Sequence, residues 1–185
     1  MTESQSLLLT LAEDVQHAAD LLFDAVCNGC QSCISEISDV NRHTLSELSE
    51  GERRAMKHKI TVDQLCTAHV LSRCVTQAFS AAVLLPQLRL NLQPLCEIVT
   101  SSAQLATYPH RFLTVSKDTA LIQTYPMHLA ANKGRGAHAL LIANVCSTET
   151  GRHLLPLALA LEAHRNALEA ACEHLTEQIA KATAE

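Results

Sequence analysis

The sequence predicts an all-α fold, a helical bundle. Three observations carry that prediction. Leu and Ala supply most of the apolar content, and both are strong helix formers. Gly and Pro, which interrupt helices, number only 5 each in 185 residues. Apolar residues recur at three- and four-residue steps over long stretches at both ends of the chain. A chain of this length suits one domain better than two, so residues 1–185 are read as a single helical domain.

The first element is an amphipathic helix over residues 4–27. Leu8, Leu11, Val15, Ala18, Leu22 and Val26 form its apolar stripe, with Glu13, Asp14, Asp20 and Asp24 on the other side. The stripe resumes after Gly29 with Cys30, Cys33, Ile34, Ile37 and Val40. Asn28-Gly29 is a turn signal, but one glycine costs a helix only ~1 kcal/mol. Because the apolar phase continues across it, one helix from about 4 to 47 is expected. A hairpin closed at Asn28-Gly29 is the alternative.

Ser49-Glu50-Gly51-Glu52 reads as a capping box opening a short basic helix, about 50–59. Thr61-Val62-Asp63-Gln64 reads as a second, opening a helix that Pro86 stops near Leu85. The stripe of that helix is Val62, Leu65, Cys66, His69, Val70, Cys74, Ala78, Ala81 and Ala82.

The pattern is less regular over about 87–136. Leu88, Leu90 and Leu92 alternate like a strand, and Pro94 looks like the start of a helix over 94–106. Arg111–Val115 and Ala120–Tyr125 have the pattern of a hairpin or of irregular chain. Ala137–Cys146 reads as a short apolar helix. The last element is the clearest. Leu154, Leu157, Leu161, Leu168, Cys172, Leu175, Ile179 and Ala182 follow a heptad-like step with one gap at His164–Arg165. Pro156 belongs near its start. The long N-terminal helix and this C-terminal helix are expected as antiparallel partners.

Net charge is −5, unevenly spread. Residues 1–50 hold nine carboxylates against one basic residue, Arg42. Residues 51–60 reverse the sign, with Arg53, Arg54, Lys57 and Lys59 against Glu52. Nucleic acid wants a broad basic face, so no nucleic-acid partner is expected. Only 18% of residues are charged, against roughly 25% in an average soluble domain. That deficit points to helix surface covered by another chain. No basic region precedes an apolar run at the N-terminus, so a secretory signal is not expected. The longest uncharged stretch, between Arg73 and Arg89, is too short and too polar for a membrane span. A cytoplasmic protein with its 8 cysteines reduced is expected.

The most conspicuous local feature is Cys27-x-x-Cys30-x-x-Cys33. On a loop, this spacing matches the first three ligands of an iron–sulfur run, although the fourth position holds Ile37. On a helix, the same residues are small core fillers. Cys66, His69 and Cys74 share a predicted face, but no second close ligand pair follows to complete a zinc site. Asp14-x-x-His17 is the nearest approach to a di-iron motif, and no Glu-x-x-His occurs. Gly134-x-Gly136-x-x-Ala139 lacks the strand and acid that a dinucleotide site needs.

The expected function is therefore non-enzymatic: interaction or assembly through coiled-coil-like helix faces, with a second copy or another helical protein as partner. No cofactor is expected. The alternative is a redox or sensor protein holding zinc or an iron–sulfur cluster on Cys27, Cys30 and Cys33.

Overall fold

The computed structural model describes residues 3–87, 91–114, 142–144 and 147–184. The described α-helices are α1 (Glu3–Cys27), α2 (Ser32–Met56), α3 (Val62–Ala82), α4 (Cys96–Thr114), α5 (Glu149–Arg152) and α6 (Leu155–Ala184). Short 3-10 turns lie at Leu85–Gln87 and Gln93–Leu95. No strand occurs among the described residues.

The continuous helix expected over 4–47 is instead a hairpin. α1 stops at Cys27, and Gly29 adopts φ +67°. That left-handed conformation is open to glycine and disfavoured elsewhere. The backbone amides of Asn28 and Cys30 both donate to the Asp24 carbonyl, at 3.0 and 3.1 Å. Asn28 Nδ2 adds a bond to Asp24 Oδ1 at 2.7 Å. The phase survives the break because both arms bury their stripes in one core.

The capping box read at Ser49 is also absent; α2 runs through it to Met56. Gly51 is buried because α1 crosses there. A Cβ at this position would lie 2.7 Å from Leu7 Cδ2. The glycine thus marks close helix packing, not a helix start. α2 ends in a Schellman arrangement: His58 N–H donates to Ala55 O at 2.9 Å and Lys59 N–H to Arg54 O at 3.0 Å. The left-handed position is held by His58, φ 57°. His58→Gly is expected to raise the urea midpoint, by a stability gain of about 1 kcal/mol. An unchanged or lower midpoint contradicts this account.

The second capping box forms as read. Thr61 Oγ1 accepts from Gln64 N–H at 3.2 Å, and Gln64 Oε1 accepts from Thr61 N–H at 3.0 Å. The buried face of α3 is rotated from the expected stripe in its first turns. Thr67, Ala68, Leu71, Cys74, Val75, Ala78, Ala81 and Ala82 are buried, while Val62, Cys66 and His69 are exposed. His69 Nε2 instead meets Glu52 Oε1 of α2 at 3.3 Å.

The helix expected over 94–106 is longer. Gln93–Leu95 forms a 3-10 turn and α4 continues to Thr114, absorbing Arg111–Thr114. Pro109 sits inside it. A proline has no N–H, so the Leu105 carbonyl loses its helical donor. Cys172 Sγ of α6 donates to that oxygen at 3.7 Å. The possible strand residues Leu88 and Leu90, the 120–125 segment and most of Ala137–Cys146 lie outside the described residues; Ile142 is buried.

Contacts between side chains fix the helix directions. Leu7 meets Gly51 and Asp14 meets His43, so α1 and α2 are antiparallel. Glu52 meets His69 and Asn41 meets Thr76, so α2 and α3 are antiparallel. Glu13 approaches His110 and Cys27 meets Cys96, placing α4 antiparallel to α1. Ser101 meets Arg165 and Leu105 meets Cys172, so α4 and α6 run parallel.

α1, α3, α6 and α4 form a ring in which each packs on the next, and α2 lies over the α1–α3 edge. The expected pairing of α1 with α6 is therefore corrected: α6 packs on α3 and α4, across the ring from α1. α1 buries a broad face, from Leu7 to Val26, because it meets three neighbours. The α6 stripe is buried at Leu154, Leu157, Leu161, Leu168, Cys172 and Leu175. Its Leu side chains each contribute roughly 1.5–3 kcal/mol of burial.

Candidate functional site

Two places in this bundle hold chemistry-bearing side chains in unusual surroundings. The first is the α1–α2 turn. Its three cysteines are distributed between two pairs. Cys27, on the last turn of α1, neighbours Cys96 at the start of α4. Burial, and then the Cys96 contact, push the Cys27 thiol up to about 12. Cys30 lies in the turn, and Cys33 lies in the first turn of α2.

Cys30 and Cys33 lie near enough to shift each other's ionisation. Cys33 is 5% exposed, and burial followed by its bond to Cys30 pushes it up to about 12. It therefore remains a thiol and donates. Cys30 is shifted the other way. The Cys33 thiol, the Ser32 hydroxyl and the Cys33 backbone N–H all favour its thiolate, in that order. The Ser32 Oγ distance is 3.4 Å. A free backbone amide at a helix start is a natural donor to a sulfur anion.

A groove of about 330 Å³ opens beside the turn, with Gly29 and Gln31 on one wall and Leu85 and Asn91 on the other. Among the described residues, no group of three or more His, Cys, Asp or Glu is placed to hold a metal ion. The seven described cysteines are all free thiols. Cys66 is exposed, while Cys74 is buried, pushed up to about 12 by that burial, and donates to Val70 O.

The second place is the gap in the α6 stripe. His164 and Arg165 are 1% and 2% exposed. Arg165 Nε donates to Ser101 Oγ at 3.3 Å, and Nη1 meets Glu169 Oε2 at 3.4 Å. Neither ring nitrogen of His164 has a hydrogen-bond partner. Burial alone lowers His164 to about 4, so the ring is neutral at pH 7. The sequence signal for this cluster is the missing apolar step at 164–165.

Neither a protein-family model nor a curated protein matches this chain. Its chemistry therefore rests on its own side chains.

A third feature concerns the surface. Met56 and Val62 are 75% and 76% exposed, on either side of the α2–α3 turn. Arg53, Arg54, Lys57 and Lys59 line a cleft of about 270 Å³ at the same end. Glu50 braces two of them, at 2.8 Å from Arg53 and 3.1 Å from Arg54, and these partners hold its carboxyl below the usual range. No described helix is long and apolar enough to cross a membrane.

Proposed function

We propose that this chain is a non-enzymatic helical interaction protein that associates with a second copy of itself. The observation that carries the reading is the α2–α3 turn, where two large apolar side chains stand in solvent at the end of the bundle that also carries a basic cleft. Exposed apolar residues rimmed by charge are the composition of a contact surface. A second copy offers the complementary sign, since residues 1–50 carry nine carboxylates and a single Arg. Leu155 and Leu159, one turn apart on α6, add further exposed apolar surface. Coiled-coil-like use of helix faces is part of the same proposal.

Light scattering on the full chain at micromolar concentration tests it. A mass above that of one chain is expected. Met56→Lys with Val62→Lys is expected to return the mass to one chain while leaving the helical circular dichroism unchanged. A monomeric wild-type protein overturns self-association.

A further inference from the structure

Cys30-Gln31-Ser32-Cys33 places two cysteines three apart, about one helical turn, at the start of α2, with Cys30 Sγ 3.4 Å from Ser32 Oγ. Their situations differ in the way that paired redox thiols require. Cys30 is partly exposed, in the turn before the helix. Gly29 next to it leaves open space, since a Cβ there would meet nothing within 4 Å. Cys33 is buried behind it. The outer sulfur is reachable by another molecule, whereas the inner one is reached through Cys30.

We propose that Cys30 and Cys33 form a thiol–disulfide exchange site whose co-reactant is a disulfide on another molecule. This goes beyond the interaction surface at Met56 and Val62 and uses none of its residues. The exchange is stoichiometric: one dithiol per chain, oxidised once.

The Cys30 thiolate attacks one sulfur of the partner disulfide. A Cys30–partner mixed disulfide forms, and the other partner sulfur leaves as a thiolate. Cys33 then gives up its proton and attacks the Cys30 sulfur. The Cys30–Cys33 bond forms, the mixed disulfide breaks, and the second partner thiolate leaves. Two electrons pass from the dithiol to the partner disulfide. The two protons of Cys30 and Cys33 end on the two partner thiols.

The division of labour follows from the surroundings. Donors from Cys33 and Ser32 favour the Cys30 thiolate, the attacking form. Cys33 stays protonated until the mixed disulfide brings an electrophilic sulfur against it. Cys27 is engaged with Cys96 instead and takes no part. Cys66, exposed on α3, serves as an internal reference thiol.

The test uses the full, reduced chain and oxidised glutathione as the partner disulfide, without oxygen. Remaining thiols are blocked, and products are mapped by mass spectrometry. The wild type is expected to form the Cys30–Cys33 disulfide with no glutathione retained on either of those two cysteines. Cys33→Ser is expected to retain one glutathione, on Cys30, formed several-fold faster than any adduct on Cys66. Cys30→Ser is expected to leave Cys33 unmodified. Circular dichroism of both variants checks that the helices persist. Glutathione retained on wild-type Cys30 overturns the proposal, as does an adduct on Cys30 forming no faster than on Cys66. A disulfide joining any other pair of cysteines in the wild type also overturns it.

Discussion

Replacing Glu169 with leucine is expected to lower stability by about 3–5 kcal/mol, the typical cost of stranding one partner of a buried ion pair. Arg165 is 2% exposed, and the Glu169 carboxylate lies 3.4 Å from its Nη1. An arginine does not escape by losing its proton. The guanidinium must then stay charged in the core without the Glu169 carboxylate. Removing both charges, as in Arg165→Met with Glu169→Leu, is expected to cost less than the sum of the two single changes, because the two charges of this pair leave together. Urea unfolding of the two single variants and the double variant reads this as a coupling. A Glu169→Leu midpoint within error of the wild type would contradict the assignment of this pair to the core.

Acid is expected to destabilise the bundle between pH 6.5 and about 4 through His164. Its ordinary value is 6.5 and burial lowers it to about 4. Over this window the unfolded chain takes up a proton that the folded chain refuses. More protons on the unfolded side means that stability falls as pH falls. Below about pH 4 both states are protonated and the loss stops growing. The full loss is on the order of 3 kcal/mol. His164→Leu is expected to remove this slope. It also removes two buried nitrogens without partners, so it stabilises the neutral-pH protein by about 1–3 kcal/mol. His43 works with the opposite sign. Its bond to Asp14 raises it, so its contribution is present below pH 6.5 and fades as pH rises past the folded value. It is half exposed, and its effect is correspondingly small. Comparing wild type with His164→Leu across the window isolates the buried ring, and equal slopes would refute its role.

Much of this architecture is legible in residue spacing. The α1 stripe and the Thr61 capping box are local patterns that form as read, and the α6 stripe is buried from Leu154 to Leu175. The departures share one cause: partners far away in sequence decide them. Gly51 looks like part of a helix start until Leu7 is seen against it. Gly29 looks tolerable in a helix until its positive φ turns the chain. Pro109 lies inside α4, and the Leu105 carbonyl it leaves without a helical donor accepts from Cys172 on α6 instead. The cysteines at 27, 30 and 33 look like one ligand set in spacing. Folding divides them, because Cys96 arrives beside Cys27 from another helix. The buried cluster on α6 leaves only a gap in a stripe, and a gap does not say which residue fills it.

The parallel run of α4 and α6 sets an order of assembly. α1, α2 and α3 are joined by short turns, so their mutual contacts close small loops and form early. α6 must wait for residues 115–154 to be made before it reaches α3 and α4. Until then, the faces of α3 and α4 that pack on α6 lack that partner. The thirty residues of α6 thus complete contacts that α1, α2 and α3 begin without them. Chains halted before Leu155 lack the α6 side of the contacts with α3 and α4.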